Sequence, residues 1–263
     1  MTDETALDRA HAAMEAAPDQ DAARLRFYER LADSELFLLL TGEPEGDQLA
    51  PEMFELADGR FVLAFDREAR LAAFVGRTAA YAALSGRVIA AMLAREGIGL
   101  GVNLEVAPSS ILIPAEAVAW LDRTLGHGPE EVEARMEAFL PPAGLPEVLL
   151  GALDTKLATA RGLAQAAYLV GVTYAGGGRG HLLGFVGALP EAHGALARAV
   201  SEALTFSGIE AGALDVGFFS ATDPVAARMA QAGLRFDLPE LNVEDRAAPV
   251  APGSDPDAPP RLR

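Results

Sequence analysis

The chain has 263 residues, of which 51% are hydrophobic and 22% are charged, and its net charge is −17. This composition indicates a globular protein of one large or two small domains, and the negative charge argues against general binding to nucleic acid or to an anionic membrane. The absence of cysteine excludes disulfides and thiol chemistry. Lys156, the single lysine, is the only residue that could form a Schiff base.

The first residues, Met1 to Glu4, are acidic and lack the basic and apolar segments of a signal peptide. No apolar stretch reaches the roughly 20 residues that span a bilayer. We therefore expect a cytoplasmic protein.

Periodicity and capping residues predict the elements of the first half. Residues 52–65 are typical of a hairpin, because two apolar runs flank the turn Asp58-Gly59. Asp21 and Asp66 stand where helix caps are expected. The other expected elements are helices at 7–17, 21–33, 67–74, 85–96 and 114–125, and strands at 36–40, 99–106 and 110–113.

The second half begins after a predicted connector, residues 127–145, of which 130–139 has a helical pattern. Asp223-Pro224 is a cap followed by proline at the first helical position, which strongly indicates a helix start. The further expected elements are helices at 146–160, 190–206 and 224–233, and strands at 166–174, 181–187 and 214–220.

These patterns predict an α+β fold of two small mixed domains, each a sheet with helices packed on it. We place the first domain at residues 20–125 and the second at 145–240. From residue 241 to 263 the chain is rich in proline, acidic and small residues, which predicts a disordered tail.

Two glycine runs resemble nucleotide-binding loops only superficially. Residues 176–180 lead into a predicted strand, whereas a phosphate-binding loop leads into a helix, so a hairpin turn explains them better. Residues 97–101 have the spacing Gly-x-Gly-x-Gly and also precede a strand, unlike a dinucleotide-binding motif. We expect no cofactor.

No two of the four histidines have metal-ligand spacing, so we expect no metal site, and no catalytic residue can be assigned. His181 and Arg179, with nearby Tyr174, could form a small polar site at the hairpin. A solvated turn is the alternative interpretation of these three residues.

Adjacent aromatic residues on the second helix cannot point in the same direction. Tyr28 shares a face with Leu25 and Leu31, which leaves Phe27 either buried against another element or exposed as a contact surface. Trp120 is expected to anchor the core or a domain interface.

Several segments of the first half resemble the SseB family, named for enhanced serine sensitivity. They are residues 26–38 (RFYERLADSELFL), 59–66 (GRFVLAFD), 70–71, 99–103 (GLGVN), and 111–114 (ILIP) with 118–121. Residues 167–171 and 214–218 are more loosely similar to the C-terminal domain of that family. The resemblance implies the fold and, through the family's name, a link to serine or sulfur-amino-acid physiology. The family has no established active site, so it supplies no functional residues.

Together these observations favour a cytoplasmic accessory or protein-interaction protein with an unidentified protein partner, and they favour it over an enzyme. The alternative is a small-ligand sensor or an enzyme with a cleft between the two domains. A sensor or enzyme requires a concave pocket with convergent polar groups, whereas an interaction protein requires an exposed apolar patch.

Overall fold

A computed structural model describes residues 4–44, 49–56, 59–126, 136–175, 177–209 and 214–239 of the chain. These residues form two mixed sheets with helices packed on them, so the predicted α+β fold is confirmed. We call residues 4–126 the N-terminal half and residues 136–239 the C-terminal half. Their division into independent domains stays a prediction.

The N-terminal half follows the predicted order closely. Its first helix begins with a capping box, in which the Thr5 hydroxyl accepts from the Asp8 amide and the Asp8 carboxylate accepts from the Thr5 amide. The elements are α1 (Ala6–Ala16), α2 (Asp21–Asp33), β1 (Glu35–Leu39), β2 (Met53–Leu56), β3 (Gly59–Phe65), α3 (Glu68–Val75), β4 (Tyr81–Ser85), α4 (Gly86–Glu96), β5 (Gly99–Val102), β6 (Ile111–Ile113) and α5 (Ala115–Gly126).

The C-terminal half begins with a strand. Its predicted helix start at Asp223 is confirmed, because the Asp223 carboxylate accepts from the Val225 amide at 2.8 Å. The elements are β7 (Met136–Leu140), α6 (Glu147–Leu157), β8 (Ala166–Tyr174), β9 (Arg179–Val186), a 3-10 turn (Pro190–Ala192), α7 (His193–Phe206), β10 (Asp215–Phe219), α8 (Pro224–Ala232) and β11 (Leu234–Asp237).

The N-terminal sheet has the order β4-β1-β3-β5-β6, with β2 paired to β3 in the predicted hairpin. Alternation along each strand sends successive side chains to opposite faces. Leu38 and Val62 therefore enter the core beneath α1, α2, α4 and α5, whereas Leu63 and Phe65 enter a smaller core with Leu71 of α3.

The C-terminal sheet has the order β10-β9-β8-β11, and β7 also pairs with β8. One face carries Leu169 and Phe185 into a core with α6 and α7. The other face carries Val172 and Leu182 into a core with Met229 of α8. The sheet is therefore covered by helices on both sides.

Three strands depart from the predicted elements. The pattern predicts no strand at β4 or β11, and it predicts helix where β7 lies. β4 pairs with β1 along five positions, and β7 and β11 both pair with β8, so sheet pairing decides these segments against local propensity. Parts of the predicted hairpin turn, connector, glycine run and tail lie outside the described residues. They are residues 57–58, 127–135, 176 and 241–263.

The two halves share apolar contacts through α7. Phe206, at the end of α7, is buried in the core of the N-terminal half. Its ring lies 6.4 Å from that of Trp120, and Trp120 lies 5.3 Å from Tyr28. The prediction that Trp120 is an anchor is confirmed, and its contact is with the opposite half of the chain.

Candidate functional site

The hairpin of β8 and β9 does not bring Tyr174, Arg179 and His181 together. Arg179 pairs with Thr173, and His181 pairs with Gly171, so Arg179 and His181 share the sheet face of the odd-numbered β8 residues. Tyr174 follows Thr173 and therefore points to the opposite face. The hypothesis of an enzyme site built from these three residues is wrong for this reason.

Other contacts occupy two of these side chains. The Tyr174 hydroxyl donates to a carboxylate oxygen of Asp215, on the edge strand β10. His181 Nε2 lies 3.0 Å from the carbonyl oxygen of Ala143, in the segment that follows β7. Arg179 is exposed at the start of β9. These contacts tie neighbouring segments to the hairpin and form no common pocket.

Phe27 is fully buried, with 0% of its surface exposed, so the proposed contact surface at this residue is wrong. Its ring makes edge contacts with His11 and Tyr28, each at 5.6 Å between centroids. The helix α1 covers the side of α2 from which Phe27 projects, and burial is one of the two outcomes that the sequence analysis gave for this residue.

A cluster of charged side chains lies between the two halves. We call it the interface charge cluster: Glu29, Asp33, Arg87, Lys156 and Glu202. Lys156 Nζ on α6 lies 2.6 Å from Asp33 on α2 and 3.0 Å from Glu202 on α7. Arg87 on α4 donates to Glu202 at 3.0 and 3.2 Å and to Asp33 at 2.7 Å. The cluster therefore connects four helices.

The cluster lies partly out of water, since the side chains of Lys156 and Glu202 are only 7% and 3% exposed. Burial opposes the charge of Lys156, but the attraction and hydrogen bonds of Asp33 and Glu202 outweigh it and raise the pKa of this lysine. Burial likewise opposes the charge of Glu202, but its bonds to Arg87 and Lys156 lower the pKa of this carboxyl. Both groups are therefore charged at neutral pH.

Glu29 differs from the other members of the cluster. Its Oε1 lies 3.7 Å from Lys156 Nζ, and this buried oxygen has no hydrogen-bond partner. Burial, reinforced by the nearby charge of Asp33, raises the pKa of Glu29 despite the attraction of Lys156. Glu29 is thus a buried carboxyl group with one oxygen that accepts no hydrogen bond.

Next to this cluster is a cleft of about 450 Å³ between α1 and α2 on one side and α6 on the other. We call it the interface cleft. Its polar lining consists of Arg9, Gln20, Arg26, Glu29, Arg30 and Thr155, and the rest is six alanines and Gly151. These small side chains cannot fill the space between the helices, which is why the cleft is open. Its volume lies within the range of small-molecule sites.

The guanidinium groups of the cleft differ in their partners. Arg26 donates to the carbonyl oxygen of Val148 at 3.3 Å, across the contact between the halves. Arg9 is within 3.9 Å of Glu4, and both side chains are 62% exposed, so this pair is weak. Within the described residues, the side chain of Arg30 makes no hydrogen bond or salt bridge. The cleft therefore offers an unused donor group beside an unused acceptor.

A second buried charge network lies entirely within the N-terminal half. Arg70 of α3 donates to both oxygens of Asp8 on α1, at 3.0 and 2.5 Å, and to Asp66 at 2.7 Å. The Ser109 hydroxyl donates to Asp8 at 2.6 Å, and the Asn103 amide donates to Ser109 at 2.8 Å. Every polar group of this network is engaged, so we assign it to stability and not to ligand binding.

Two predicted helix caps differ in the structure. Asp66 accepts from Arg70 and from the Thr5 hydroxyl, while Arg67 is the residue before α3. Asp21 is the first residue of α2 and forms an ion pair with Arg24. Both aspartates still lie where the positive end of the helix dipole favours a carboxylate.

Sequence reasoning gave a cleft between the two domains as an alternative, but it assigned none of the residues of the cluster or of the cleft to a site. Lys156 was available as a signal, because a chain that otherwise uses arginine retains one lysine. A small, tetrahedral ammonium group fits among several carboxylates where a planar guanidinium does not. The alanines of α1 and α2 were the second signal, since small residues on facing helices leave open space.

Within the described ranges, no set of three or more histidine and acidic side chains is placed to hold a metal ion. In the same ranges, no helix has the length and apolar character needed to cross a membrane.

Comparison with known protein families gives a match in the N-terminal half of the chain. Residues 7–120 match the family model described as SseB protein N-terminal domain. The match begins in α1 and ends in α5, so it includes Glu29, Asp33 and Arg87 but neither Lys156 nor Glu202. No curated protein and no solved structure matches the chain.

Proposed function

We propose, from the premise that residues 7–120 belong to the SseB N-terminal domain family, that the protein is a cytoplasmic accessory protein that binds a small ligand in the interface cleft. The observation that carries this proposal is the convergence of polar groups from both halves on one cleft of about 450 Å³. The unpaired guanidinium of Arg30 and the unpartnered oxygen of Glu29 lie on adjacent residues there.

Binding is favoured over catalysis because the cleft lining lacks a nucleophile paired with a base. Thr155 supplies the hydroxyl of the lining, and it donates to the carbonyl oxygen of Gly151 at 2.8 Å within α6. The charged groups can recognise and orient a ligand, but they form no acid–base constellation. A sensor of a small molecule fits this arrangement.

A ligand in this cleft would contact both halves at once. Arg26 already reaches from α2 to α6, and Glu29 lies between the cleft and Lys156. Occupancy would therefore stabilise the contact between the halves, because a ligand stabilises the state that binds it.

The proposal is tested by screening a panel of charged and neutral metabolites for a rise in the melting temperature. Gly151→Leu is the blocking variant, since a β-carbon at Gly151 is 4.0 Å from the nearest atom, in Arg26, and a larger side chain would extend into the cleft. Gly194→Leu is the matched control, because this exposed helical glycine has no neighbouring atom within 4 Å. Stabilisation that survives in Gly151→Leu as fully as in the control would overturn the proposed site.

Protein interaction, the role that the sequence favours, is a second candidate at another place. β7 ends and β11 begins along the same edge of β8, and a groove of about 400 Å³ lies there, lined by Pro142, Gly144, Leu145, Leu150, Ala232, Gly233 and Leu234. Leu140 and Leu234 are 46% and 43% exposed beside it. This is the apolar surface that an interaction protein requires.

Its test compares two leucines of equal exposure, Leu234 and Leu112, each 43% exposed. Leu112 lies on β6, in the other sheet. A specific partner should be captured by wild type and by Leu112→Glu but not by Leu234→Glu. Equal capture by all three proteins would count against the groove as the docking surface.

A further inference from the structure

We propose that the ligand of the interface cleft is a small dianion, with its charge on one phosphate group or on two carboxylates, held by Arg26 and Arg30. This inference rests on the proposed function and adds the chemical class of the ligand. Three features of the interface cleft support it: the charge of its lining, the partners of its arginines and the small size of its apolar side chains.

The two arginines carry like charges on a single helix, α2. Arg26 and Arg30 are four residues apart, so they lie on the same side of the helix. Two like charges at this spacing destabilise a helix unless another group compensates them. Glu29 attracts both guanidinium groups and compensates them in part, but its ion pair is with Lys156. Asp33 is already bonded to Arg87 and Lys156. An anion between the two guanidinium groups would supply the missing compensation.

Both arginines keep N–H groups that can donate to a ligand. Arg30 has all its N–H groups available, and Arg26 uses one nitrogen for the carbonyl oxygen of Val148. A guanidinium has five N–H donors in a planar fork that matches a carboxylate or a phosphate. The site can therefore make several charge-assisted hydrogen bonds without breaking any contact of the fold.

The charged residues that line the cleft are mostly positive. Arg9, Arg26 and Arg30 bring three positive charges to the lining and Glu29 brings one negative charge, in a chain with a net charge of −17. A cleft with an excess of one sign of charge concentrates ligands of the opposite charge. Even with Arg9 paired to Glu4, the positive groups of the lining outnumber the negative ones, which favours an anionic ligand.

The remaining lining limits the size and the polarity of the ligand. The apolar part of the lining consists of six alanines and Gly151, whose side chains offer apolar contact but no hydrogen-bond donor. Gln20 at the rim supplies an amide that could bond to a hydroxyl or carbonyl group. A compact anion with a short carbon skeleton fits this combination better than an extended or aromatic ligand.

The experiment is isothermal titration of the whole protein at low ionic strength with inorganic phosphate in one arm and succinate in the other. Arg30→Gln and the double variant Arg26→Gln/Arg30→Gln are expected to weaken binding by at least about tenfold, because each loses charge-assisted hydrogen bonds. Arg95→Gln, at an exposed position on α4, is the control and should bind as wild type does. Added salt should weaken binding, as expected for a partly exposed ion pair.

The two arms distinguish the sources of charge. Binding of phosphate alone assigns a phosphorylated ligand, and binding of succinate alone assigns a dicarboxylate. If Arg30→Gln and Arg95→Gln bind either probe equally, or if neither probe binds wild type, the inference is overturned.

Failure of this inference is separable from failure of the proposed function. If neutral or cationic metabolites stabilise wild type but not Gly151→Leu, the cleft is a ligand site and only the anionic class is wrong. If no member of the panel distinguishes Gly151→Leu from Gly194→Leu, the proposed function fails as well.

Discussion

Lys156 of α6 donates to Asp33 of α2 with Nζ 2.6 Å from Oδ2, and this bond joins the C-terminal half of the chain to the N-terminal half. The same ammonium group lies 3.0 Å from Glu202. One lysine thus balances carboxylates that belong to both halves. The energetic consequences of that sharing can be measured directly.

Lys156→Met should lower the free energy of unfolding by about 3–5 kcal/mol, because it leaves buried carboxylates without their counter-charge. Lys156→Arg should show a smaller loss, since a planar guanidinium keeps the charge but not the geometry. The measurement is urea denaturation at neutral pH. Asp154→Ala, at an exposed position of the same helix, is the control and should change stability by no more than about 0.5 kcal/mol. A Met variant as stable as this control would contradict the role given to Lys156.

Glu29→Gln should stabilise the protein at neutral pH. The folded state raises the pKa of Glu29 above its ordinary 4.5, so the folded state binds the proton more tightly than the unfolded state does. Wild type therefore loses stability as the pH rises above about 4.5 through the folded pKa, and the Gln variant avoids that loss.

The measurement is the free energy of unfolding of wild type and Glu29→Gln between pH 4 and 7. The difference should be largest at pH 7 and should vanish towards pH 4. Glu15→Gln, at an exposed position on α1, should show no such trend. A Gln variant that is less stable than wild type at pH 7 would mean that the attraction between Glu29 and Lys156 outweighs burial.

Asp8→Asn should destabilise the N-terminal half by about 3–5 kcal/mol at neutral pH, because Arg70 then stays buried beside a neutral amide. Burial alone would raise the pKa of Asp8, but the bonds from Arg70 and Ser109 hold it well below its usual range. Stability from this carboxylate is therefore complete above about pH 4 and is lost as the pH falls towards the folded pKa.

Acid unfolding of wild type and Asp8→Asn checks this prediction. The difference in free energy of unfolding between wild type and Asp8→Asn should narrow as the pH falls below about 4, because protonation of Asp8 in wild type mimics the variant. Ser109→Ala should lower the free energy of unfolding by a smaller amount, about 1.5–3 kcal/mol, because it removes one hydrogen bond to a charged group. A difference in free energy of unfolding that stays constant across the acid range would show that Asp8 stabilises the fold by its shape and not by its charge.

Gly86→Ala should destabilise the protein by about 1–3 kcal/mol or more. A β-carbon at Gly86, the first residue of α4, would lie 1.9 Å from the carbonyl oxygen of Leu31 on α2. Gly194→Ala is the matched control, because its β-carbon would meet no atom within 4 Å, and its effect should stay within about 0.5 kcal/mol. Thermal denaturation distinguishes the two, and equal melting temperatures would contradict the close approach of α2 and α4.

Much of the fold could be predicted because local signals and tertiary structure agree. Asp223 caps a helix where its sequence position indicates, and the two apolar runs of the predicted hairpin form the paired strands β2 and β3. β7 could not be predicted, because its glutamate, alanine and methionine residues favour a helix and only the pairing with β8 makes it a strand. β4 is similarly a strand through its pairing with β1.

The candidate site was beyond sequence reasoning for a different reason. Glu29 and Lys156 are far apart in the chain, and no spacing rule relates residues that meet only when two sheets and their helices pack. The placement of Tyr174 on the opposite sheet face from Arg179 and His181 was easier to predict, because it depends only on the register of one hairpin. A register shifted by one residue would have placed all three on the same face.

The burial of Lys156 has a practical consequence for chemical labelling. The chain has no other lysine, so only Lys156 and the amino terminus can react with amine-directed reagents. With 7% of its side chain exposed, and with its ammonium group held by carboxylates, Lys156 is shielded from acylation while the halves stay in contact. Acylation of this one amine, counted by mass spectrometry against the amino terminus, would therefore record how often the two halves separate, and a ligand that holds them together would slow it.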